Sequence, residues 1–228
     1  DLEDYQIDGF AKQASEMAKG AQIWRTIQTQ ITLAAGQTTK CYDDTNFFAT
    51  THNIGVGNNI LTGTAVATDA VTHAMVALIT SNRMVKPLMW QERESPALRT
   101  DAGDNESSKT RMVHWWTSLR GAAAFGFWHD AILVKFANTP TVADMLTTLG
   151  NLNAKFRSFT LPKNLPTDVN QYPHGQMTFN NKTVTIVCSS LIEHVVRQAL
   201  TLTLIASTEN YFVNWADLIC SGYLDSVV

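Results

Sequence analysis

Cysteine is scarce in this chain of 228 residues: Cys41, Cys188 and Cys220 are its only three. An odd number with no CxxC pair argues against a disulfide framework or a thiolate zinc site, and it fits a reducing compartment. Charge is scarce as well. Asp, Glu, Lys and Arg make up 16% of the residues, against about a quarter in ordinary globular chains. Polar uncharged residues fill the gap, among them 28 threonines. Monomer surfaces carry more charge than this, whereas the cores of protein interfaces are depleted in it, so much of this surface is expected to meet other protein. The 20 acids and 17 bases leave a net charge of −3, which argues against a protein whose main work is gripping nucleic acid. No apolar run approaches the ~18 residues of a membrane span. The chain opens on Asp1, Glu3 and Asp4, with neither Met nor the basic start of a secretory signal, as expected of a processed or partial chain.

Signatures of chemistry are missing too. The P-loop pattern that cradles phosphates is absent. Gly55 and Gly57 begin a GxG, but Ile60 stands where a third glycine belongs. The GxSxG elbow of hydrolases is absent. Ser189 and Ser190 stand between a strand and a helix, where a helix cap explains them; a serine hydrolase using one of them with a histidine is the remote alternative. The six histidines, His52, His73, His114, His129, His174 and His194, include no zincin pair at i,i+4. His129 and Asp130, read as neighbours on a strand, would point to opposite faces. Asp101, Asp104 and Glu106 lack the order of a calcium loop. Around Cys41 nothing nearby depresses the thiol, and the adjoining Asp43 and Asp44 fit a turn. No catalytic, cofactor or metal-binding residue is assigned.

What is present reads as α+β. Phe10, Ala14, Met17, Ala21, Trp24 and Ile31 recur at helical spacing, which predicts one helix over residues 8–35, with Asp8 as cap and Gly36 as stop. It would be about 40 Å long. Residues 36–64 read as loop, 75–80 and 85–92 as extended, and 94–110 as an exposed or interface loop. Residues 112–116 read as a strand and 121–135 as buried. A helix is predicted over 141–156, a polar connection over 157–182, a strand over 183–188, a helix from Ser190 to about Thr201, and a last strand before the C-terminus. Helices and antiparallel strands interleave.

Three segments carry a resemblance: Cys41-Tyr-Asp-Asp-Thr-Asn-Phe-Phe48 followed by His52, Val85-Lys-Pro-Leu-Met-Trp-Gln-Glu-Arg93, and Gly121-Ala-Ala-Ala-Phe-Gly-Phe-Trp128. In this order and spacing they resemble the major head subunits of Mu-type phages, the gpT family. The opening Asp1–Asp4, the unit from Val184 to Leu200 and the ending Gly222-Tyr-Leu-Asp225 are similar to that family too. The resemblance implies a major capsid protein with the Hong Kong 97-like fold. Helix 8–35 would be its spine helix, residues 1–156 mainly its peripheral domain and residues 157–228 mainly its axial domain, with the two interleaved. It implies no reaction and no cofactor. The implied partners are further copies in hexamers and pentamers, a scaffold, a head protease and a portal, in a shell that encloses DNA without reading its sequence. The implied location is the virion, with assembly in the bacterial cytoplasm. An encapsulin-like nanocompartment shell is the alternative. The family's N-terminal arm, extended loop and C-terminal end are expected to lie beyond this sequence. Phe10, Met17, Trp24, Trp90, Phe125, Phe127 and Trp128 are the candidate core or interface residues, the last four read as core.

Overall fold

The computed structural model describes residues 2–53, 57–63, 73–80, 85–100, 115–159, 183–205 and 208–225. The first element is a single helix, α1, Leu2–Ala34. It starts six residues before Asp8, so that residue is interior and not a cap. Its end matches the expected stop. Gly36 is buried, and a Cβ there would sit 2.6 Å from the Phe48 ring. The Phe48 amide donates to the Gly36 carbonyl at 2.9 Å, which folds the chain back on itself.

Two compact units follow from the chain path. The first comprises residues 1–32 and 90–124. It holds most of α1 and the pair β3 (Leu88–Thr100) and β4 (Trp115–Phe125), which hydrogen-bond as a two-stranded ribbon. Within it Trp24 meets Trp90 edge-on, with ring centroids 5.4 Å apart, and Arg25 pairs with Glu92. A Cβ on Gly121 would fall 2.2 Å from the Trp90 ring, so the indole lies flush on β4. The ribbon corrects one expectation. Residues 94–100 belong to β3 and not to a loop, while 101–114 lie outside the described residues. Polar side chains and Pro96 are tolerated there because each strand of a two-stranded ribbon is an edge.

The second unit comprises residues 33–89 and 125–228. Its centre is a five-stranded sheet of β1 (Ile60–Thr62), β2 (His73–Ile79), β5 (Ala131–Phe136), β6 (Val184–Cys188) and β9 (Ala216–Cys220), in the order β1-β5-β2-β6-β9. The sheet is mixed and not antiparallel throughout: β1 with β5 and β6 with β9 are parallel, and β2 runs antiparallel to both its neighbours. In β2 every residue from Ala74 to Ile79 is buried. Such unbroken apolar runs mark strands covered on both faces.

Helices α2 (Val142–Ser158) and α3 (Glu193–Thr201) pack together and add Met145, Leu149, Leu152, Phe156, Val195, Val196 and Ala199 to the same core. The cap of α2 is a reciprocal box. Thr141 Oγ1 accepts from the Asp144 amide at 3.2 Å, and the Asp144 carboxylate accepts from the Thr141 amide at 3.0 Å. The expectation at the start of α3 changes. Ser189, not Ser190, is the cap, and it starts a short 3-10 turn over Ser190–Ile192. Leu191 lies on that turn and is exposed, because it precedes the helical register that buries Val195 and Val196. A short pair, β7 (Leu204–Ile205) and β8 (Thr208–Glu209), leads back to β9. The compact units do not divide at residue 156: β1, β2, β5 and α2 share one core with β6 and β9.

Gly126 tests this packing. Its amide donates to the Pro87 carbonyl at 2.9 Å, and a Cβ would sit 2.0 Å from the Lys86 carbonyl oxygen. Backbone cannot yield as a side chain can, so Gly126→Ala is expected to cost about 2 kcal/mol or more in urea unfolding. Thr141→Ala, which removes only the cap, is expected to cost about 1 kcal/mol.

Candidate functional site

The first resemblance segment folds into a polar knot within the second unit. The Cys41 amide donates to the Thr45 carbonyl at 2.8 Å, and the Asp44 amide returns to the Cys41 carbonyl at 3.1 Å. Asp44 takes a φ of 61°, a left-handed conformation that Asp tolerates better than most residues. The turn carries Asp43 inward. Its carboxylate is buried, accepts from Cys41 Sγ at 3.0 Å, the Thr45 amide at 3.1 Å and Thr45 Oγ1 at 2.6 Å, and lies 2.8 Å from His52 Nδ1.

His52 is held on three sides. Its ring stacks on the Trp128 indole, with centroids 3.9 Å apart and planes 4° from parallel. Its Nε2 lies 3.2 Å from Asn59 Oδ1. Asn59 is itself fully buried and fixed. Its Nδ2 donates to the carbonyls of Phe47 at 2.7 Å and Trp128 at 3.3 Å, and its Oδ1 accepts from the Ala49 amide at 2.9 Å. The knot thus ties residues 41–59 to the turn that precedes β5.

Its electrostatics favour order over reactivity. Burial pushes the Asp43 carboxyl up, but hydrogen bonds from Cys41, Thr45 and His52 outweigh it and hold the acid well below the usual carboxylate range. Burial, helped by the hydrogen bond to Asp43, pushes the Cys41 thiol up to about 12. Burial and the Asp43 charge also raise the Tyr42 phenol. A thiol so placed is a slow nucleophile at neutral pH. Cys41, Asp43 and His52 do offer three metal-ligand atoms, all within 4.8 Å of one another.

The serines of the hydrolase alternative are used differently. Ser189 Oγ donates to Asp225 Oδ1 at 2.5 Å, the Ser190 amide donates to the same oxygen at 2.8 Å, and Ser190 Oγ donates to Asp225 Oδ2. A nucleophilic serine needs a histidine as proton acceptor. Here one carboxylate accepts from both hydroxyls and ties the turn Gly222–Leu224, which it follows, to the start of the α3 region. His129 and Asp130 lie not on a strand but in the turn Trp128–Asp130, where both are buried.

The candidate residues fall in different settings. The side chain of Phe10 lies outside the described residues, as do residues 101–114, His174 and Gly55. Met17 and Trp24 are 39% and 36% exposed on α1. Trp90 is half-buried against Trp24. Phe125 is half-buried and stacks on Phe47 at 4.1 Å. Trp128 is buried in the core, but Phe127 stays exposed, because the turn that sends Trp128 inward leaves its neighbour edge-on to Tyr42 at the surface. Only Trp128 joins the knot. Thr45, Asn59 and Asp225 carried no assignment from sequence. The one local signal for Asn59 was an Asn pair placed just before an apolar strand.

A family model described as Mu-like prophage major head subunit gpT matches residues 1–160. Two curated relatives are similar over part of the chain. The major capsid protein of Escherichia phage Mu is 32% identical over 142 residues, 59% of this chain and 47% of that protein. The Mu-like prophage FluMu major head subunit of Haemophilus influenzae is 30% identical over 143 residues, 59% of this chain and 46% of that protein. This chain therefore spans about half the length of the curated relatives it matches. Among solved structures, the bacteriophage JBD30 capsid is similar with a TM-score of 0.70 at 15% identity, over 92% of this chain and 66% of that one. The JBD30 procapsid gives a TM-score of 0.69 at 19% identity, over 98% and 71%. The fold is thus that of a phage capsid subunit.

Two outcomes follow for this region. Asn59→Ala leaves two carbonyls and an amide without partners in the interior, and is expected to cost about 2 kcal/mol or more in thermal or urea unfolding. For Asp225, burial raises the carboxyl, but the bonds from Ser189 and Ser190 prevail and lower it. A depressed folded-state acid contributes stability that is complete above the ordinary carboxylate range and is lost as pH falls through its native value. Unfolding free energy measured against pH is expected to show this acid limb, and Asp225→Ala is expected to flatten it.

Proposed function

This chain belongs to the Mu-like prophage major head subunit gpT family, and on that premise we propose that it is wall material of a phage or prophage head. Copies associate into hexamers and pentamers that close an icosahedral shell around DNA. The observation that carries the reading is the family match over residues 1–160 together with the capsid fold, which extends the likeness across the C-terminal third.

The surface supports it. On α1, Met17, Ile23, Trp24 and Ile31 are exposed, and in the second unit Leu202, Leu204, Tyr211 and Ile219 are exposed. A chain with 16% charged residues and large apolar side chains in the open is built to be covered by neighbours. In this reading the fold is Hong Kong 97-like and α1 is its spine helix. The peripheral domain holds that helix and the ribbon of β3 and β4, the axial domain holds the strands of 184–220, and the two interleave along the chain. Met17 and Trp24 serve as interface side chains, whereas Trp128 serves the core. Enclosure of DNA needs no base contacts, in keeping with a net charge of −3. Scaffold, head protease and portal are the partners during assembly in the host cytoplasm. The protein acts by shape and catalyses nothing.

Expression of the full-length subunit with its scaffold and protease is expected to yield shells or capsomers in negative-stain electron micrographs. A product that stays monomeric beside those partners would overturn the proposal.

A further inference from the structure

The three-residue cluster in the polar knot has a feature that hydrogen bonding alone leaves odd. Asn59 has no freedom to rotate its amide. Both Nδ2 protons go to carbonyls and Oδ1 accepts from the Ala49 amide, so an acceptor oxygen is what faces His52 Nε2 at 3.2 Å. That oxygen calls for a proton on Nε2. A neutral imidazole with its proton on Nε2 presents a bare lone pair at Nδ1, and Nδ1 points at the Asp43 carboxylate, 2.8 Å away. Thr45 Oγ1 lies 2.9 Å from Nδ1 as well, but its one proton is drawn to Asp43 Oδ1 at 2.6 Å, so Nδ1 and the carboxylate face each other lone pair to lone pair. Something positive belongs between them: a second proton or a metal ion.

The surroundings are those of a metal centre. A ligating histidine characteristically donates its other ring N–H to a fixed carbonyl or carboxylate, and a ligating carboxylate is itself hydrogen-bonded. Asn59 Oδ1 stands in the first role. The Thr45 amide and hydroxyl, both on Asp43 Oδ1, stand in the second and leave Oδ2 toward His52. The Trp128 indole stacked on the ring fixes its plane and keeps water from that side. Cys41 supplies a third donor, with its Sγ 3.0 Å from the carboxylate, and its half-exposed position opens the cluster to solvent.

We propose that Cys41 Sγ, Asp43 Oδ2 and His52 Nδ1 bind a zinc-class divalent metal ion, with water in the fourth position. Thiolate, imidazole and carboxylate together select a borderline-soft ion over calcium or magnesium. A tetrahedral zinc site sets its ligand atoms about 3.4–3.6 Å apart. The three atoms all lie within 4.8 Å of one another, and Asp43 Oδ2 and His52 Nδ1, 2.8 Å apart, would part by about half an ångström to take the ion. Binding forms metal–sulfur, metal–nitrogen and metal–oxygen bonds. It releases the thiol proton and any proton at Nδ1 to solvent and oxidises nothing. Two negative ligands and a neutral ring offset the dication. The ion would join the turn at 41–45 to residue 52 by coordination, and the site stands whether or not the shell proposal holds.

The test uses the full chain stripped with EDTA and titrated with Co2+ alone, and separately with Zn2+ alone. One ion per chain and a thiolate-to-cobalt charge-transfer band are expected. Cys41→Ser keeps a donor to Asp43 while removing the thiolate. It is expected to melt as the metal-free wild type does, to lose the band and to bind Co2+ at least about tenfold more weakly. Cys220→Ser, at an exposed thiol, is expected to keep both band and affinity. Zn2+ is expected to raise the melting temperature of the wild type and to slow iodoacetamide labelling of Cys41 but not of Cys220, a readout that needs no variant. Absence of the band in folded wild type, equal Co2+ affinity in Cys41→Ser, or labelling of Cys41 indifferent to Zn2+ would overturn the proposal.

Discussion

Strands buried on both faces constrain everything around them. β2, β5 and β6 present nearly continuous apolar surface above and below the sheet, and each face left wet would cost about 25 cal/mol for every Å². The unit therefore needs covers from several parts of the chain. α2 and α3 provide one kind, with Met145, Leu149, Leu152 and Phe156 at helical spacing. The segment after α1 provides another. It has little regular structure, yet it delivers Phe47 and Phe48 to the core.

An irregular cover brings its own problem, because its backbone and polar side chains go inside with the apolar ones. Asp43, His52 and Asn59 solve it together. Asn59 satisfies two carbonyls and an amide, His52 bridges Asn59 to Asp43, and Asp43 gathers the donors of its own turn. A half-satisfied network of this kind would be worse than an apolar core. This explains why a motif so rich in polar residues sits in the interior. The same completeness gives the cluster the outer shell of a metal centre. At Asp225 the logic recurs on a smaller scale, with one carboxylate holding two serines and an amide.

Helix α1 and the strands at 184–188 and 216–220 were legible because their cause is local. Periodicity and a β-branched run act within a few residues. Of the ribbon strand β3 only the start was legible, in the extended run read over 85–92, since Arg93, Glu94 and Pro96 carry no strand signal until a partner strand pairs with them. Mixed strand direction was hidden as well, because direction is a property of connections and not of strand composition. His52 stood in a recognised motif without a role, and Asn59 had no signal beyond its place before a strand.

The sequence alone determined the class of the protein. Low charge, a long amphipathic helix and three ordered motifs led to the head-subunit family, because composition and ordered motifs are carried by the linear chain. Only the tertiary structure decided what the Cys41–Phe48 motif is for. Its partners at 52, 59 and 128 are brought together by burial. A carboxylate's protonation and an imidazole's orientation depend on which donors surround them in space, and no spacing along the chain records that.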